Sequence, residues 1–289
     1  MWRKYLFPAT VQEALEMLIA HPGESQIIAG GTDLVLQSKR GQCPATVIVD
    51  ITHVPGLDFI VERDGFIFIG CQVTHAQIAA SPLICHKAEV LALACGSVGG
   101  PATRSVGTLV GNVVNALPAA DGAIALFALE AEVEVADGSG RRWMPIAELY
   151  AGVGQCVLDP CAQMVTTIRF RPLERGQASA YQRLANRKAL ALPTLAVGTV
   201  VGVQDGVCDV VRVSVGPVAP TPFRARQAEA ALVGQPPTAE AIARAAELAG
   251  QAAQPRDSLL RGSRDYRQAM VGVLVRRALT EAVAKAKER

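Results

Sequence analysis

No Cys-x-x-Cys pair occurs anywhere in the 289 residues. The seven cysteines, at positions 43, 71, 85, 95, 156, 161 and 208, are odd in number and irregularly spaced. That argues against a disulfide framework and against a zinc or iron–sulfur motif, and predicts reduced, mostly buried thiols. No run of 18 apolar residues is present, so no segment reads as a membrane-spanning helix. The first residues, MWRKYLFPAT, lack a signal-peptide core and cleavage site. Taken together these features predict a soluble, cytoplasmic protein. Neither a G-x-G-x-x-G fingerprint nor a G-x-x-x-x-G-K-[ST] loop occurs, which disfavours a Rossmann cofactor site and a P-loop. Lys and Arg exceed Asp and Glu by only two and are scattered. That is no electrostatic footprint for nucleic acid. The four histidines, at 21, 53, 75 and 86, stand apart from one another. His75 reads as a surface or cap-adjacent residue. No nucleophile, metal cluster or acid pair announces itself.

What remains is a globular composition, 50% hydrophobic and 19% charged, long enough for two or three domains. Thr10 with Glu13 is a capping-box pattern for a first helix that stops near His21-Pro22-Gly23. Gln26 to Ala29 and Val47 to Asp50 read as short strands. Phe59 to Glu62 and Phe66 to Ile69 flank Asp64-Gly65 as a hairpin. Thr74 with Gln77 is a second capping box. Helices are predicted over Ala88 to Cys95 and from a cap at Asp121 to Leu129, and strands over Glu132 to Val135 and Val165 to Phe170. Farther on, Leu195 to Val203 and Val210 to Val215 flank the turn Gln204-Asp205-Gly206. Three helices follow: Arg224 to Leu232, Ala239 to Ala249 and Ser263 to Ala284. Pro172 and Gly176 mark a boundary near 173–178.

Two glycine loops stand out. The first is Ile28-Ala29-Gly30-Gly31-Thr32-Asp33-Leu34, directly after a strand. The second runs from Thr103 to Asp121 and contains Thr108-Leu109-Val110-Gly111-Asn112. Glycine lets a ligand phosphate approach backbone N–H groups that a Cβ would screen. Two such loops can close on one extended anionic ligand from two sides.

These residues resemble a known family. A-G-G-T-D-L after a strand, then R-x-x-G-T-L-x-G-N with an Asp nine residues later, is similar to the FAD-binding medium subunit of molybdenum hydroxylases, the xanthine dehydrogenase and carbon monoxide dehydrogenase type. Val49-Asp50-Ile51, Ile69-Gly70, GPVAPTPFR at 216–224 and Arg261 to Arg267 resemble further stretches of the same family. The likeness extends over essentially the whole chain.

The resemblance implies a multi-lobe α+β and α/β protein. Its PCMH-type FAD-binding fold has two α/β subdomains, expected at 1–54 and 55–175. A C-terminal small antiparallel sheet plus helix bundle is expected at 176–289. It implies that Ile28 to Leu34 hold the FAD pyrophosphate and neighbouring flavin groups, with Thr108, Leu109, Val110, Gly111 and Asn112 as the second wall. Asp121 would bond polar groups of the cofactor, with Val98 and Val165 packing beside it. Gln182 matches a position where some members carry a lysine near the flavin, and Arg183 and Lys188 are the nearby cations. The loop Arg187 to Pro193 falls where the family gates its external acceptor. Molybdopterin on a large subunit and two [2Fe–2S] clusters on a small one are implied as partners, in a dimer of heterotrimers.

One departure concerns the backbone. Val110 stands where the family commonly has glycine, and valine tolerates φ > 0 badly. Either the backbone there stays at φ < 0 or the loop has shifted. Val110 and Gln182 feed the alternative of a flavin-free structural or assembly subunit that keeps the fold.

Overall fold

The computed structural model describes residues 2–289. The first lobe comprises β1 (Lys4–Leu6), α1 (Val11–Ile19), β2 (Ser25–Ile28), α2 (Leu34–Lys39) and β3 (Val47–Asp50). Its strands form a parallel sheet in the order β1-β3-β2. Parallel strands need crossovers: α1 carries the chain from β1 to β2, laying Ala14, Leu15 and Leu18 into the core, and α2 carries it from β2 to its neighbour β3. The Thr10 hydroxyl accepts from the Glu13 N–H as the capping pattern predicts, but the Glu13 carboxylate reaches back to the Ala9 N–H rather than to Thr10.

The second lobe begins with the hairpin β4 (Ile60–Arg63) and β5 (Phe66–Gly70). Its turn residues, Asp64 and Gly65, both have positive φ, the twist that a two-residue hairpin requires. Six helices follow: α3 (His75–Ala80), α4 (Pro82–Lys87), α5 (Glu89–Gly96), α6 (Pro101–Arg104), α7 (Leu109–Val114) and α8 (Asp121–Ala128). Then come β6 (Glu132–Asp137), β7 (Gly140–Pro145), the small pair β8 (Tyr150–Gly152) and β9 (Gln155–Cys156), and β10 (Met164–Phe170). Five of these strands make an antiparallel sheet in the order β4-β5-β10-β6-β7.

The third lobe is an antiparallel sheet of β11 (Gln177–Leu184), β12 (Leu195–Gln204), β13 (Val207–Gly216) and β14 (Phe223–Arg224) in sequence order. Three helices, α9 (Arg226–Leu232), α10 (Ala239–Ala252) and α11 (Arg264–Glu288), complete it. Helix α11 packs along β11 and β12, while α5 and α8 of the second lobe pack against β11, β12 and β13. Every residue of α8 is buried, as expected of a short helix held between two layers. Specific bonds tie the lobes together. The Ser214 hydroxyl donates to the Ile124 carbonyl, the Val90 N–H donates to the Ser179 hydroxyl, and Lys285 pairs with Glu89 at 2.9 Å.

Two expectations need correction. Asp121 is not the N-cap of α8. Ala120 holds that position, and the Asp121 carboxylate is drawn sideways to partners on β11. Only Cys71, Cys95 and Cys208 are buried; Cys43, Cys156 and Cys161 are half-buried and Cys85 is exposed. Among the described residues no helix is long and apolar enough to cross a membrane.

Candidate functional site

The two glycine loops meet. A Cβ built on Gly30 would stand 1.8 Å from the Val106 carbonyl oxygen, so the first loop touches the second through a backbone surface that only glycine leaves bare. Gly31 has φ +65°, the left-handed conformation that turns the chain out of β2. Among the described residues, the backbone N–H groups of Gly30, Gly31, Thr32 and Asp33 donate to no protein acceptor. Four consecutive free donors in a turn form a concavity suited to an anion. Asp33 precedes α2 but makes no side-chain cap bond, which leaves its carboxylate exposed. Ile28 and Leu34 are buried beneath the loop with Ala45 and Ile48 and anchor it.

The second loop is pinned from below. Leu109 N–H donates to the Val73 carbonyl and His75 N–H to the Gly107 carbonyl. Thr108 caps α7 by accepting from the Gly111 N–H. Val110 therefore lies inside a helical turn at negative φ, and the backbone strain that a valine would suffer in the left-handed region does not arise. The Gln37 amide donates to Asn115 at 3.2 Å and joins α2 to the residue after α7.

Between the loops and β10 lies a cavity of about 170 Å³. Ala29, Thr108, Val110, Gly111 and Val165 line it together with Cys71. Five of the sequence-predicted residues thus share one apolar-walled recess. Val98 stands apart, on the turn after α5. Its carbonyl accepts from Arg104, and the next carbonyl, of Gly99, accepts from the Leu190 N–H. The Arg187 to Pro193 loop therefore rests on that turn, with Leu190 and Leu192 exposed.

Asp121 is 4% exposed. The Tyr181 hydroxyl and the Arg183 Nε each donate to its Oδ1 at 2.7 Å. Burial pushes its carboxyl up from the usual carboxylate range, and the Arg183 and Tyr181 bonds pull it back. Burial and the Asp121 charge push the Tyr181 phenol well above its usual value. Gln182 is not brought to this cluster. It lies on the opposite face of β11, where its amide donates to Glu281 of α11. Side chains alternate along a strand, so 181 and 183 face α8 while 182 faces away.

His75, expected at the surface or beside a cap, directly follows the N-cap Thr74 of α3 but is not at the surface. It is 2% exposed, and its buried Nδ1 has no hydrogen-bond partner. Burial and the Arg104 charge lower its pKa to about 4, so the imidazole is neutral. Asn112 Oδ1 is likewise buried and unpartnered. Orphaned buried polar atoms are rare in native proteins, and two of them stand beside the second loop. The strand that carries Tyr181 is buried on both faces from Ala178 to Tyr181, so no alternation marks the Asp121 cluster in the sequence. Nothing local to His75 signals its burial.

A larger groove of about 590 Å³ opens at the far end of α8 and contains five arginines. Three of them, Arg212, Arg224 and Arg226, converge on Glu130, while Arg169 pairs with Glu132. The groove shares no lining residue with the glycine loops, and the three arginines on Glu130 fasten the second lobe to the third.

Residues 2–172 match the family described as the FAD binding domain in molybdopterin dehydrogenase, and residues 179–282 match the CO dehydrogenase flavoprotein C-terminal domain. The nicotinate dehydrogenase FAD-subunit of Eubacterium barkeri is 33% identical over 244 residues, covering 83% of this chain and 82% of its own. The nicotine 6-hydroxylase medium subunit of Paenarthrobacter nicotinovorans is 31% identical over 283 residues, 98% of each chain. Among solved structures, carbon monoxide dehydrogenase from Hydrogenophaga pseudoflava, in a form that lacks the Mo-pyranopterin moiety, matches with a TM-score of 0.94 and 29% identity over 98% of both chains. On its two consecutive domains, their order and a likeness running nearly end to end, the chain belongs to the family of FAD-binding medium subunits of molybdenum hydroxylases.

Proposed function

We propose that FAD lies across the two glycine loops, and that the chain serves as the electron-transfer flavoprotein of a molybdenum hydroxylase complex. FAD bound there supplies the redox chemistry, taking electrons from [2Fe–2S] clusters on a partner subunit and delivering them to an external acceptor. The observation that carries this reading is the row of free N–H donors from Gly30 to Asp33, set beside a glycine whose Cβ would fill the contact between the loops. Such a cradle fits a pyrophosphate, because the donors are fixed before the anion arrives.

In this reading the N–H groups of Gly30, Gly31, Thr32 and Asp33 hold the pyrophosphate, and Ala29 closes its flank. Ile28 and Leu34 hold the loop from beneath. Thr108, Leu109, Gly111 and Asn112 form the opposing wall. Val110 and Val165 give the recess its apolar lining. Asp121 presents a carboxylate to polar groups of the cofactor, with Tyr181 and Arg183 fixing its orientation. Val98 and the Arg187 to Pro193 loop border the approach of the acceptor. The relatives named as medium subunits support a multi-subunit assembly, with molybdopterin on a large partner and the clusters on a small one. The division into units at 1–54, 55–175 and 176–289 follows the three main sheets.

A flavin-free assembly subunit is the competing reading, and the helical setting of Val110 removes one of its two supports. Incubating the purified chain with FAD, desalting it and recording its visible spectrum separates the two. Flavin bands at one equivalent per chain are expected, and a colourless protein sinks the proposal.

A further inference from the structure

We propose that His75 is a further cofactor-contacting residue, bracketing with Asn112 one hydroxyl of the flavin's sugar-alcohol chain. The inference rests on the FAD reading above. The His75 backbone is tied to the second glycine loop by its N–H bond to Gly107, at 3.0 Å. Its ring packs where glycines leave room. Cβ atoms built on Gly107 and Gly122 would stand 3.6 Å from the imidazole Cδ2 and 3.7 Å from Cε1. The Gly122 position lies 3.0 Å from Asn112 Oδ1 as well. So the two orphaned atoms, His75 Nδ1 and Asn112 Oδ1, belong to side chains that both approach Gly122 in the first turn of α8, next to Asp121.

The chemistry of the pair selects the ligand group. Asn112 Oδ1 only accepts, whereas a neutral imidazole nitrogen bearing its proton donates. In the tautomer that carries the ring proton on Nδ1, the pair calls for a group that accepts from one atom and donates to the other, and a hydroxyl does both. A phosphate oxygen lacks the proton for Asn112, and an apolar group satisfies neither atom. The sugar-alcohol chain of FAD lies between the pyrophosphate and the flavin ring, so a hydroxyl beside the phosphate cradle fits its chemistry. The low basicity of the buried ring keeps it uncharged across the neutral range and leaves charge recognition to other groups.

The test measures FAD affinity of the full chain, stripped of flavin, for the wild type, His75→Leu and His75→Gln. Loss of one such hydrogen bond is expected to weaken FAD about tenfold in His75→Leu. His75→Gln, which keeps an amide donor, should recover most of it. ADP, which has the pyrophosphate but no sugar-alcohol chain, should compete equally well in all three proteins. Circular dichroism and the unfolding midpoint check that each variant is folded. A folded His75→Leu protein with wild-type FAD affinity overturns the proposal, as does an equal loss of ADP affinity or no rescue by glutamine. Wild-type protein that binds no FAD would instead overturn the flavin reading itself.

Discussion

Gly30 bears the tightest steric constraint in the site, because a single added methyl group would collide with the Val106 carbonyl oxygen. Backbone cannot step aside as a flexible side chain can. Gly30→Val is therefore expected to part the loops and cut FAD content at least tenfold while the far sheets remain folded. The check is flavin absorbance per chain beside a circular dichroism spectrum. The Asp121 and Arg183 pair makes a different demand. Arg183→Met leaves a buried carboxylate without its cation, which should cost about 3 kcal/mol. The double variant Asp121→Leu with Arg183→Met should regain most of that, since no uncompensated charge remains. Urea denaturation of the two single variants and the double variant measures the coupling. His75 adds a pH term. Its pKa falls from 6.5 in the unfolded chain to about 4 in the fold. Between those values the unfolded chain binds a proton that the folded one refuses. Stability from this site is complete above pH 6.5 and is lost as pH falls toward 4. Between pH 7 and pH 5 the wild type should lose about 2 kcal/mol more than His75→Leu in denaturant titrations.

At the scale of elements, the contact between α8 and the third sheet positions the site. Gly198 of β12 lies against α5 and α8. A Cβ there would stand 2.9 Å from the Ser214 hydroxyl and 3.2 Å from Val90. Gly198→Val should overpack that seam and destabilise the protein by about 2 kcal/mol, read as a lowered denaturation midpoint. Elements with clear periodicity or turn chemistry were legible in the sequence. The strand Val47–Asp50, the Asp64-Gly65 hairpin and the long pair flanking Asp205-Gly206 all lie where the pattern puts them. Strand β11 was not legible. Ala178 to Tyr181 are buried on both faces, so no alternation marks them. Gln182 was singled out by the family resemblance, whereas Tyr181 and Arg183, one residue to either side, carry the contacts to Asp121. The four- and six-residue helices α6 and α4 are too short to show a period.

For the whole molecule, the recess lies between the first two lobes, lined from Gln26 to Ile51 on one side and from Cys71 to Val165 on the other. The first and second lobes contribute the glycine loops, and the third contributes the strand that holds Asp121. The loops were legible because glycine and small residues after a strand have a direct physical meaning. The orphaned imidazole and the loop-to-loop contact depend on residues distant in sequence, and only the folded chain brings them together. The central claim is that the cradle from Gly30 to Asp33, closed by the second loop, binds FAD. The most direct measurement is a calorimetric titration of flavin-stripped protein with FAD, run in parallel on wild type and Gly30→Val. The account predicts one FAD per wild-type chain and at least tenfold weaker binding in the folded variant. No binding by the wild type, or equal binding by both proteins, would contradict it.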